Sequence, residues 1–118
     1  MKKVLCVCAK GQNRNYYLAN YLRDKGYWTR RGGVEEGANP PITKSDVGWA
    51  DVIVIVRERL VPLVKDKFDI RDKKLVVINV TDSKRLVPKK YQELSFRELN
   101  EKWTYPWLRK AINKHLPL

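Results

Sequence analysis

Short apolar runs alternate along this chain with stretches of helical period. Residues 4–8 form an unbroken apolar run, the pattern of a strand buried on both faces. A polar turn over 11–15 precedes a helical period in Tyr17, Leu18, Tyr21 and Leu22, which stops at Lys25-Gly26 with a basic last turn and a glycine. Residues 27–31 predict a second strand closed by Gly32-Gly33. Residues 34–41, with Gly37, Asn39 and two prolines, predict a loop, and 43–49 a short helix. The Val-Ile-Val-Ile-Val run at 52–56 is the strongest β signal in the chain. Leu60, Leu63, Val64 and Phe68 then mark one face of a helix, and 75–80 read as another buried strand. A basic loop over 81–90 leads into helical material, where Trp107, Leu108, Ala111, Ile112 and His115 share a face expected to pack on the sheet.

Four strands alternating with helices indicate an α/β fold with a parallel sheet. Ligands in such sheets bind beyond the carboxyl ends of the strands. The loops that matter are therefore 8–15, the segment from Arg57 and the segment from Thr81. At 118 residues the chain is expected to be one domain, 1–118.

Composition narrows the picture in three ways. No apolar run approaches the ~18 residues of a membrane span, and the basic tip at Lys2-Lys3 precedes too short a run for a secretory signal. A cytoplasmic protein is expected. The two cysteines, Cys6 and Cys8, sit two apart on one strand face, near the limit of disulfide geometry, which fits a reducing compartment. A structural zinc site usually wants about four ligands, and His115, the one histidine, reads as a helix-terminal surface residue, so no metal is expected. The net charge of +12 suits either a solvated basic surface or a polyanionic partner. The basic residues are dispersed from Lys2 to Lys114, so nucleic acid is not favoured, and Tyr16, Tyr17, Tyr27 and Trp28 read as core or pocket-rim aromatics rather than a stacking platform.

The chemistry sits between the first strand and the first helix, in Cys8-Ala9-Lys10-Gly11-Gln12-Asn13-Arg14-Asn15. Phosphoryl transfer to sulfur needs a thiolate, several donors for the phosphoryl oxygens, and a guanidinium able to hold two oxygens at once. A loop entering a helix meets these needs. Its N–H groups converge on one point, the helix start adds positive potential, and Arg14 closes the ring. Gly11 lies where curling around an anion often requires positive φ. Residues 8–15 are thus the expected phosphate-binding loop.

Val7-Cys8 followed by Arg14 resembles the low-molecular-weight protein tyrosine phosphatases. Ala50-Asp51-Val52-Ile53-Val54-Ile55 is similar to their third-strand entry, and residues 75–82 resemble the strand that leads to their catalytic aspartate. The likeness spans roughly residues 2–85. Gln12-Asn13-Arg14 also resembles a relative, the serine phosphatase of the RNA polymerase II tail. The resemblance implies a three-layer α/β/α domain with sheet order 2-1-3-4. It implies Cys8 as nucleophile, Arg14 as oxyanion clamp and Asp82 as general acid and base, with no cofactor. The implied activity is hydrolysis of a phosphorylated protein, as by a tyrosine phosphatase, or of a small phosphomonoester.

Three positions depart from that family. Asn15 stands where a Ser or Thr hydroxyl donates to the thiolate, though its amide is able to donate instead. Gly11 replaces an asparagine that braces the loop, and Asp82-Ser83-Lys84 lacks the proline and aromatic wall after the acid. These departures favour, as the alternative, a phosphate- or phosphoprotein-binding module with weak or no turnover. A phosphocarrier has little use for Arg14, and a disulfide-relay arsenate reductase needs a cysteine after Cys8, which the chain lacks.

Overall fold

The computed structural model describes residues 2–10 and 12–118; Met1 and Gly11, the latter part of the expected phosphate loop, lie outside the described residues. Four parallel strands, β1 (Lys3–Cys8), β2 (Trp28–Gly33), β3 (Val52–Ile55) and β4 (Lys74–Val77), form one sheet in the order β2-β1-β3-β4. The fold class and strand order are those expected.

Side-chain alternation along the strands divides the core in two. Val4, Cys6, Cys8, Val52, Val54 and Val76 face α1 (Arg14–Asp24) and the C-terminal helix, meeting Leu18, Leu22, Leu108 and Ile112. Leu5, Val7, Ile53 and Ile55 face α2 (Lys44–Trp49) and α3 (Val61–Lys67), meeting Val47, Leu60 and Val64. Burying each large aliphatic side chain contributes roughly 1.5–3 kcal/mol, which is why the central strands are apolar, β1 from Val4 onward and β3 throughout. Helix α2 begins with a capping box, in which Thr43 accepts from the Asp46 N–H and the Asp46 carboxylate accepts from the Thr43 N–H.

Several boundaries differ from the sequence reading. Gly32 and Gly33 belong to β2 rather than closing it. Residues 78–80 leave the regular strand, although the Ile78 and Val80 N–H groups still donate to Ile55 and Val56. The C-terminal segment is one helical run that changes pitch: α4 (Phe96–Leu99), a π-helical turn (Asn100–Thr104) and α5 (Tyr105–Asn113). Ser95 caps its start by accepting from the Glu98 N–H at 3.1 Å, a Ser-x-x-Glu signal legible in the sequence. Leu108 and Ile112 pack on the sheet, whereas Trp107 is 40% exposed and His115 lies exposed beyond the helix end.

Candidate active site

Glycine at position 33 permits the loop after β1 to fold back on the sheet. A Cβ there would stand 2.6 Å from the Ala9 carbonyl oxygen, well inside contact distance, so the backbone of 9–10 rests directly on Gly33. The Cys8, Ala9 and Lys10 carbonyls accept from the N–H groups of Val34, Glu35 and Asn39 at 2.9–3.0 Å. In a trans peptide the N–H points opposite to the carbonyl. Tying these carbonyls back therefore aims the Ala9 and Lys10 N–H groups away from the 34–39 segment. That segment braces the backbone of 8–10.

Cys8 is buried at the carboxyl end of β1, and Arg14 opens α1 with 7% exposure. Arg14 Nη1 donates to the Val80 carbonyl at 2.9 Å, and Nε lies 3.4 Å from Asp82 Oδ2. That second approach has ion-pair distance without hydrogen-bond alignment, so the buried Nε–H lacks an acceptor. Burial lowers the Arg14 proton affinity most; the charges of Asp82 and Cys8 raise it, and those of Arg57 and Arg59 lower it. Asp82 is thus brought from far along the chain to Cys8 and Arg14 at the carboxyl edge of the sheet. Gln12 and Lys10 are exposed, and the Lys10 ammonium is turned onto the Glu36 carbonyl rather than over the loop.

Asn15 departs from expectation. Its side chain is fully buried, and neither its Nδ2 nor its Oδ1 has a hydrogen-bond partner, so its amide does not donate to the Cys8 sulfur. Leaving such a group unpaired costs roughly 1–3 kcal/mol.

Asn13 of the expected loop, joined by Asn100, Trp103 and Tyr105 from outside it, completes the arrangement. Asn13 occupies the N-cap position of α1 but makes no capping hydrogen bond. Its amide donates to Asp82 Oδ2 at 2.8 Å and to Asn100 Oδ1 at 3.1 Å. Tyr105 donates to Asn13 Oδ1 at 3.3 Å and stacks on Tyr17 with ring centroids 4.0 Å apart. Burial chiefly raises the Tyr105 pKa, which keeps its hydroxyl a donor at neutral pH. Trp103 Nε1 donates to the Thr81 carbonyl at 3.1 Å, beside Asp82. The π turn and the start of α5 therefore fasten both the loop after β1 and the segment carrying Asp82. No local sequence pattern announces these contacts, since the partners lie some 20–90 residues apart.

Cys6 lies beneath this site with no exposure, and burial, assisted by the charge of Cys8, pushes its thiol up to about 12. The folded chain thus holds the proton that the unfolded chain loses near ~8.5. This contribution to stability is complete below the unfolded value and is lost as pH rises toward about 12. Denaturant titrations of wild type and Cys6→Ala from neutral to alkaline pH should show a shallower alkaline loss in the variant. Parallel curves would remove Cys6 from that pH dependence.

Among the described residues no cluster of His, Cys, Asp or Glu is arranged to hold a metal, and no helix is long and apolar enough to cross a membrane. No family model matches the chain, and no curated protein matches it. Among solved structures, the fold is similar to that of the YwlE arginine phosphatase from Geobacillus stearothermophilus, with a TM-score of 0.51 and 15% identity over 98% of this chain and 93% of that one. It also aligns with the uncharacterized protein lmo0427, with a TM-score of 0.46 and 17% identity over 100% and 96% of the two chains. A semialdehyde dehydrogenase NAD-binding protein from Cupriavidus necator aligns at 0.45 and 12% identity, over 78% of this chain and 39% of that one. The chain has a phosphatase-like α/β fold.

Proposed function

We propose that this chain is a metal-independent phosphomonoester hydrolase of the low-molecular-weight tyrosine phosphatase type, acting as a single unit on a phosphorylated protein or small phosphate ester in a reducing compartment. The observation that carries the proposal is the buried Arg14 guanidinium at the start of α1, beside Cys8, with an Nε–H that lacks an acceptor. A phosphoryl oxygen supplies that acceptor, and the uncapped helix start and loop N–H groups supply further donors.

In the first step Cys8 Sγ attacks phosphorus, forming the S–P bond as the ester P–O bond breaks. Asp82, protonated, gives its proton to the leaving oxygen. In the second step the Asp82 carboxylate takes a proton from water, whose oxygen attacks phosphorus. The S–P bond breaks and inorganic phosphate and the thiolate are released. Arg14 holds the equatorial oxygens throughout. Asn13, Asn100 and Trp103 are positioning residues in this scheme, holding the acid over the loop.

The test is turnover of an aryl phosphate in the presence of a chelator, with acid-quenched protein examined for a phosphorylated Cys8. Turnover without a thiophosphate intermediate, or turnover that needs metal, overturns the mechanism. Asp82→Asn should slow alkyl phosphates by about 10²–10⁴-fold and activated aryl phosphates much less, because only poor leaving groups need the proton. A uniform loss across leaving groups moves the acid role elsewhere. The unpartnered Asn15 amide favours a second reading, a phosphate-binding module with weak turnover. Under it, phosphate binds the loop but no phosphoenzyme forms.

A further inference from the structure

Arg57 is a cation at the carboxyl edge of the sheet that the proposed mechanism does not use. It follows β3 in extended conformation, with φ −139° and ψ 132°. Val7 pairs with Ile55, and the Val56 N–H donates to the Val7 carbonyl at 3.1 Å, so Arg57 stands abreast of the first residues of the loop after β1. In the order β2-β1-β3-β4 the chain reverses direction across the sheet between β1 and β3. The crevice outside the strand ends at such a switch point is where open α/β sheets bind ligands.

Three other cations there each have a partner. Arg59 pairs with Glu35 at 3.3 Å, Arg14 faces Asp82 at 3.4 Å, and the Lys10 ammonium donates to the Glu36 carbonyl. Arg57 is half-buried, and among the described residues its guanidinium has neither an ion pair nor a hydrogen bond. Its charge acts directly on Arg14, below burial in size but in the same direction. An uncompensated, half-buried guanidinium beside another guanidinium is unfavourable until an anion joins it. On the far side of the site, Asp82-Ser83-Lys84 offers no flat aromatic wall.

We propose that Arg57 forms a second anion subsite, so that the preferred substrate carries a second phosphate or a carboxylate besides the phosphoryl group held by the Cys8–Arg14 loop. This rests on that loop holding the reacting phosphoryl group, as proposed above. Planar guanidinium geometry suits two oxygens of either group.

Binding by calorimetry separates this idea from the chemistry. The probes are inorganic phosphate against pyrophosphate, and phosphonoacetamide, whose second group is an uncharged amide, against phosphonoacetate. At low salt the member of each pair that carries a second anionic group should bind about tenfold more tightly, and the difference should shrink as salt screens it. Arg57→Lys should keep most of the preference and Arg57→Gln should abolish it, with melting curves confirming that both fold. A preference confined to pyrophosphate identifies the second group as phosphate, and one confined to phosphonoacetate identifies a carboxylate. Equal affinities within both pairs in the wild type, or a preference that survives in Arg57→Gln, overturn the subsite and leave the loop reading intact. If none of the four probes binds, the loop reading and the subsite fall together.

Discussion

Cys8→Ser should lower aryl phosphate turnover by about four orders of magnitude or more, because the displaced sulfur is the atom that bonds to phosphorus. A serine hydroxyl is a far weaker nucleophile, and the described residues place no imidazole beside it to act as a base; His115 lies exposed beyond α5. Cys6 does not rescue the reaction, since it is wholly buried and its thiol is pushed up to about 12. Cys6→Ser should retain most activity while losing about 1–3 kcal/mol of stability through the buried hydroxyl. Phosphate affinity, read separately, should survive in Cys8→Ser, because Arg14 and the loop N–H groups remain. Equal activity in wild type and Cys8→Ser would exclude sulfur as the nucleophile.

Arg14→Lys should cost about 10²–10³-fold in kcat, the loss typical of removing a donor aimed at transition-state charge. Lysine keeps the charge and loses the planar fork, so one ammonium cannot both fill the Val80 carbonyl and span two phosphoryl oxygens. Phosphate affinity should change much less than kcat, since a point charge at the helix start still attracts the ground-state dianion. The Val80 carbonyl would also lose its donor, so a modest fall in melting temperature is expected. Small, equal changes in kcat and affinity would make Arg14 a structural anchor of the 80–82 segment and nothing more.

The strands were legible because their burial is written locally. Unbroken apolar runs at 4–8 and 52–56 became the two central strands, and the exposed, arginine-bearing β2 became an edge. The Cys8–Arg14 spacing was legible for the same reason, since a strand, a polar turn and a helix in succession place both residues at one sheet end. The apolar face of the C-terminal helix was legible at Leu108 and Ile112, which pack on the sheet, whereas Trp107 lies at the margin of that face and is 40% exposed.

Long-range contacts decided the rest. The Asn13–Asp82 and Asn13–Asn100 hydrogen bonds join residues 69 and 87 positions apart, and no local pattern encodes such a meeting. Gly33 carries its reason only once the backbone of 9–10 is seen resting upon it. Asn15 reads in sequence as a substitute donor, yet in the folded chain its amide is fully buried and unpartnered. Arg57 is one arginine among many until the β1–β3 register sets it beside the loop. Periodicity reports which residues are buried; which buried or half-buried groups meet depends on how the loops and the helix pitch carry them across the sheet.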